Sequence, residues 1–227
     1  MEQLDQLLGD EERRVVLKLR LSSRPRAPRG FSLIELMVGL TIVAFLLFLG
    51  VPEFANFLQN TQIRNAAETT LAGLTLARAE AVRRNAPVRF QLVSDLTAGC
   101  AISTSPLNDS NALNWVVSLA DPAGACDEQP SETVAPQIVQ KKSAREGSRN
   151  VLVSTTGTPA LTFNGLGRVS GVGGLQRLDF KSASGICVHV DDVNGTMRCL
   201  AIMVTSGGSI KMCDPKVGDT ADPRHCS

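Results

Sequence analysis

The chain has 227 residues, a formal net charge of +1 and 43% apolar residues. That suits one globular domain plus a membrane segment, and it lacks the bulk cationic surplus of a nucleic-acid binder. Eight Phe, one Trp and no Tyr argue against a row of aromatic platforms for stacking bases.

Up to Gly30 the chain is polar, with seven Lys or Arg against five Asp or Glu, so the remainder is close to neutral. This leader ends in Arg24-Pro25-Arg26-Ala27-Pro28-Arg29. It reads as an unstructured extension or an over-long translated start; an amphipathic helix in its early part is the alternative. From Phe31 to Val51 the residues are almost all apolar, enough to cross a bilayer as a helix. Glu35 interrupts that run, and a carboxylate in hydrocarbon is a functional hypothesis by default. The bland alternative is an interfacial Glu that reaches water near the helix end. Arg24, Arg26 and Arg29 precede the run, and no Lys or Arg follows until Arg64. The positive-inside rule then puts the N-terminus in the cytoplasm. A cleaved secretory signal fits poorly: the run is too long, and the small residue lies before it rather than after.

Pro52 follows directly, a residue that removes a helix hydrogen bond and bends the axis. Beyond it Ile63, Ala67, Leu71, Leu74, Ala77 and Ala81 make one apolar stripe at three-to-four spacing, and Asn85 and Pro87 signal the stop. One helix, bent at Pro52, is expected from Phe31 to about Asn85. Short β-rich runs follow at 88–93, 115–119, 151–153, 161–163, 175–180, 186–190, 197–204 and 210–212, divided by turn residues. Asn194-Gly195 is a hairpin signal. Residues 121–150 read as a polar loop with clustered Lys141, Lys142, Arg145 and Arg149. The fold class is α+β: one long amphipathic helix packed on an antiparallel sheet. All six cysteines follow the apolar run, which points to an oxidising compartment and to disulfides rather than zinc.

Arg29-Gly30-Phe31-Ser32-Leu33-Ile34-Glu35 resembles the class III signal of type IV pilins and type II secretion pseudopilins: a basic residue, glycine, a methylatable aromatic, then glutamate fifth in the mature chain. Pro52 matches the proline common in such helices. Arg64-Asn65-Ala66-Ala67 and the run from Leu76 to Asn85 resemble the helix of H-type pseudopilins and the related FimT/FimU minor pilins. So do the Phe163–Arg168 turn and the ending from Cys213 to Cys226. The resemblance implies a pilin-like fold, cleavage between Gly30 and Phe31 by a prepilin peptidase, N-methylation of Phe31, and assembly with other pilin-like subunits through an inner-membrane platform. It implies a minor subunit of a pseudopilus or type IV pilus, and the large irregular domain suggests a place at or near the tip. Cleavage would leave an ammonium on Phe31, and Glu35 of a neighbour could pair with it, relieving two buried charges and fixing register. The matching divisions are a cytoplasmic leader at 1–30, a membrane part at 31–52, a periplasmic helix at 53–86 and a periplasmic β-domain at 87–227.

Sequential pairing of the cysteines, Cys100–Cys126, Cys187–Cys199 and Cys213–Cys226, is the favoured pattern. A two-residue turn at Asn194-Gly195 would set Val190, not Cys187, opposite Cys199, so the middle pair needs a bulge or a longer turn; linkage of Cys187 to Cys100 or Cys126 would show the sequential pattern wrong. Some FimT-type proteins are thought to bind DNA through a GRxR-like stretch. Here Gly208-Ser209-Ile210-Lys211 stands in that place, with one cation for two, so DNA contact by Lys211, Lys216 and Arg224 is the alternative function. No nucleophile–histidine pair or phosphate loop suggests an enzyme, and neither cofactor nor metal is expected. His189 reads as packed, Asp191-Asp192 as the start of a turn, and Asp214, Asp219 and Asp222 as a turn-rich tail rather than a calcium site.

Overall fold

The computed structural model describes residues 30–102, 113–171, 176–188 and 194–226. The chain divides into two units, one ending at Leu47 and one beginning at Phe48. Helix α1 runs over Leu33–Arg84 and contributes to both.

In the first unit the helix has no partner among the described residues. Every large apolar side chain from Phe31 to Leu47 is at least 52% exposed. A helix apolar all round needs lipid or other helices about it. Among the described residues α1 is the one helix long and apolar enough to cross a membrane.

In the second unit α1 is amphipathic. Ile63, Ala66, Ala67, Thr70, Leu74, Ala77 and Ala81 are fully buried, and Leu71 is partly so. The small residues on this face let the helix approach closely. A Cβ at Gly73 would lie 2.9 Å from the Phe90 ring and 3.0 Å from that of Trp115. The stop is a Schellman motif: Asn85 takes a left-handed φ of 47°, its N–H bonds the Val82 carbonyl, and the Ala86 N–H bonds that of Ala81. These bonds satisfy carbonyls that a helix end leaves open, and Pro87 cannot continue the helix.

Nine strands follow in chain order: β1 Val88–Val93, β2 Asn114–Ser118, β3 Ile138–Lys142, β4 Val151–Thr155, β5 Ala160–Phe163, β6 Val169–Ser170, β7 Gln176–Ser182, β8 Leu200–Val204 and β9 Ile210–Cys213. They form a five-stranded sheet ordered β3-β2-β1-β5-β6 and a four-stranded sheet ordered β4-β7-β8-β9. Every pairing is antiparallel. The architecture is therefore α+β, a long N-terminal helix on antiparallel sheets.

One main core joins the helix to both sheets through Leu74, Phe90, Trp115, Phe163, Phe180 and Ile202. Phe90 and Trp115 meet with centroids 5.6 Å apart. Two small clusters sit apart from it. Val93, Val116 and Ile138 gather around Cys100 and Cys126. Ala201 and Met203 gather around Cys213, with Cys226 against them. This explains the unbroken burial of β2: Trp115 and Val117 join the main core while Val116, pointing the other way, joins the small one.

Two expectations need correction. The stretch expected to be a polar loop contains β3, paired with β2 from Trp115–Lys142 to Ser118–Ile138. Its charged half hid it: the Lys141 ammonium is satisfied by the carbonyls of Cys126, Asp127 and Glu128 at 2.8–3.0 Å. The strand expected from Ile186 is instead a single parallel bridge between Cys187 and Met197 over the residues described there. Thr196 and Met197 both donate to the Ile186 carbonyl, which is not the register of a two-residue antiparallel hairpin over the described residues.

Candidate assembly site and surface groups

The head of α1 is built from Ser32. Its Oγ accepts the Glu35 N–H at 3.2 Å, and its carbonyl accepts the Leu36 N–H at 3.1 Å. Ser32 is thus the N-cap and Glu35 stands at N3, a position where a carboxylate meets the positive end of the helix dipole. The Ser-x-x-Glu spacing of a capping box is visible in the sequence, where it overlaps the signal motif. Phe31 is 81% exposed and Glu35 is exposed with it. Among the described residues no cation pairs with Glu35. The helix start therefore presents an aromatic side chain and a carboxylate one turn apart, both free for another chain.

The cysteines pair as Cys100–Cys126, Cys187–Cys199 and Cys213–Cys226, and none is free. The first and last anchor the two small clusters outside the main core. The last holds the tail together with Asp214, which is buried. Arg198 approaches its carboxylate at 2.7 Å through Nη2 and 2.8 Å through Nε, the Lys216 N–H reaches Oδ1, and the Asp214 N–H donates to the Arg224 carbonyl. Arg198 in turn bonds the helix, its N–H reaching Asn60 Oδ1 at 2.7 Å.

The cations singled out in the sequence are largely engaged. Lys211 Nζ donates to the His225 carbonyl at 3.1 Å. Arg224 pairs with Asp222 at 2.7 Å, and its hydrogen bonds hold the Asp222 carboxyl down at about 2. Lys142 pairs with Glu146. Gly208 of the GRxR-like stretch has a structural duty: its φ is 84°, and a Cβ there would run into the Gly167 carbonyl. Asp219 and Asp222 accept local backbone N–H bonds, and among the described residues no group could hold a metal ion. His189, Asp191, Asp192 and the leader arginines Arg24, Arg26 and Arg29 lie outside the described residues.

The Phe163–Arg168 turn docks the sheets on the helix end. Asn164 Oδ1 accepts the Leu166 and Arg168 N–H groups at 3.0 and 3.1 Å, and a Cβ at Gly165 would be 3.1 Å from Asn85 Cα. Beyond the turn, the Val169 N–H reaches the Ser206 carbonyl at 3.1 Å.

An exposed apolar helix that opens on a Gly-Phe-x-x-x-Glu motif and leads into a disulfide-bearing two-sheet domain is the build of a minor pilin or pseudopilin. The family described as Type II transport protein GspH matches residues 66–208, and the Prokaryotic N-terminal methylation motif matches residues 25–51. The first match spans more than half of the chain, which belongs to the GspH family. Among solved structures, the type IV minor pilin FimU of Pseudomonas aeruginosa (strain PAO1) is similar in two crystal forms. One has 17% identity and a TM-score of 0.43, covering 69% of this chain and 91% of that one. The other has 15% identity and a TM-score of 0.42, covering 66% and 90%. No curated protein matches.

Proposed function

We propose that this chain is a prepilin, cut between Gly30 and Phe31 by a prepilin peptidase and methylated on the new Phe31 amine. The mature subunit joins a pseudopilus or type IV pilus in protein secretion or pilus biogenesis. Residues 31–52 span the inner membrane with the leader in the cytoplasm, and residues 53–86 and the β-domain lie in the periplasm. The role is structural. The observation that carries this reading is the head of α1, where Phe31 and Glu35 stand exposed at the start of an apolar helix with no partner among the described residues. In a filament the Glu35 carboxylate of one subunit pairs with the Phe31 ammonium of the next, because burying either alone is strongly penalised. A place at the tip follows from the large irregular domain, which a repeating lattice tolerates poorly. The DNA-binding reading has less support, since Lys211 and Arg224 already have partners within the chain.

The test is mass spectrometry of the N-terminus in cells with and without the peptidase, on the parent and on Glu35→Ala. A methylated Phe31 terminus is expected in both, with Glu35→Ala absent from sheared filaments. A chain left uncut when the peptidase is present would overturn the processing. Normal filament incorporation of a normally processed Glu35→Ala chain would overturn the pairing.

A further inference from the structure

Between β7 and β8 the chain makes a loop closed by the Cys187–Cys199 disulfide. Near its end stands Asn194-Gly195-Thr196, one of two Asn-x-Ser/Thr triplets in the sequence. Such a triplet accepts an N-linked sugar where it lies on the surface of an exported domain. The other triplet, Asn108-Asp109-Ser110, lies outside the described residues. The sequence also separates the two. Asp192 precedes the first acceptor by two residues and offers a transferase a carboxylate to pair with, whereas Pro106 holds that place in the second. The triplet at 194–196 belongs to neither sheet. Asn194 and Thr196 are exposed, and Gly195 between them is half-buried. A Cβ at Gly195 would run into the Cys187 carbonyl, so the middle residue faces inward and has no room for a side chain. In extended chain, residues two apart share a side; here that side is water. The Ile186 carbonyl fixes this arrangement by accepting the Thr196 and Met197 N–H groups at 3.1 and 3.0 Å. Ile186 itself is 67% exposed, a large apolar side chain beside the acceptor.

We propose that Asn194 is a modification site: the acceptor of an N-linked glycan, transferred from a polyprenyl diphosphate carrier by a membrane-bound oligosaccharyl transferase. The Asn194 side-chain nitrogen bonds to C1 of the first sugar. The bond from C1 to the diphosphate oxygen breaks, polyprenyl diphosphate leaves with that electron pair, and the amide gives up one proton. No oxidant or reductant is consumed. The Thr196 hydroxyl, two residues on and on the same side, is the second group by which the transferase recognises the triplet. A glycan here is bulky and hydrated. It shields Ile186 and keeps this turn at the outer surface of any assembly rather than between subunits. The proposal rests on the reading that places the β-domain outside the cytoplasm, and adds to it a chemical change that the domain undergoes there.

The experiment is mass spectrometry of the full-length chain purified from its own host and digested without reduction, so that the state of the Cys187–Cys199 bond and of Asn194 is read from the same fragment. A glycan on Asn194 in a disulfide-closed fragment is expected. Asn194→Gln and Thr196→Ala should each abolish it, and Thr196→Ser should retain it, with the disulfide still closed in all three. An Asn194 found bare, or merely converted to Asp, in a disulfide-closed fragment would overturn the proposal and leave the export reading standing. A glycan confined to Asn108 or to a hydroxyl side chain would overturn the assignment to Asn194. A glycan that survives Thr196→Ala would overturn recognition through the triplet. Free thiols at Cys187 and Cys199 together with a bare Asn194 would overturn both the modification and the export reading.

Discussion

Glu80 binds the last turn of α1 to the loop before β3. It accepts from Arg83 at 2.7 Å and Arg84 at 2.8 Å, and Arg84 also reaches Glu132 at 3.2 Å. Hydrogen bonds from Arg83 and then Arg84 hold its carboxyl below the ordinary 4.5. A carboxyl depressed in the folded state adds stability above its unfolded value and loses it as pH falls through the folded one. Asp121 behaves alike: burial pushes it up, but the Ala123 N–H, the Gln91 amide and Arg89 outweigh that and bring it below 3.8. The full chain in detergent should therefore lose stability on acidification below pH 4.5, and Glu80→Gln should flatten the upper part of that loss. Denaturant midpoints across this range are the measurement, and parallel curves for the two proteins would contradict the assignment. Only the Glu–Arg spacing is legible in the sequence, because Glu132 joins through the fold.

At the scale of elements, helix α1 was the most legible and β3 the least. An apolar stripe at helical period, with Asn85 and Pro87 behind it, states both an element and its end in local terms. β3 reads Ile-Val-Gln-Lys-Lys, and its lysines suit a strand only because other segments supply carbonyls and a carboxylate. The contact between α1 and the first sheet likewise depends on a residue with no side chain. Gly73 costs roughly 1 kcal/mol of helix propensity relative to Ala, and its packing against Phe90 and Trp115 explains its presence. Gly73→Val should destabilise the protein by about 2 kcal/mol, since both rings are buried and cannot yield cheaply. A thermal or chemical unfolding midpoint equal to the parent's would show that the helix can shift away without loss.

Across the whole molecule the two sheets meet at a corner made by Gly167 and Gly208. Both have positive φ, 72° and 84°, and the Arg78 side chain lies beside the pair. Gly208→Ala adds backbone strain and drives a methyl into the Gly167 carbonyl, so a loss of about 3 kcal/mol is expected. Gly171→Ala, with φ of 76° but nothing within 4 Å of its Cβ, should lose less, from strain alone. Equal losses would mean that the corner contact itself contributes nothing. The resemblance of Gly208–Lys211 to a DNA-contact stretch rests on a single cation, Lys211, whereas the structural constraint there falls on the glycine.

By itself the sequence determined the parts of this protein whose physics is local. The apolar run, the misplaced Glu35, the helical stripe and its stop, most of the strands and the even cysteine count all follow from residue type and spacing. Tertiary structure alone decided what depends on distant segments meeting. It set the order of strands in two sheets and the division into one main core and two disulfide-centred clusters. It buried Asp214 under Arg198, and it set Gly195 against Cys187 with Asn194 and Thr196 at the surface. The reason is range: a hydrophobic period or a cap acts over a few residues, whereas charge pairing and exposure depend on which surfaces the fold brings together.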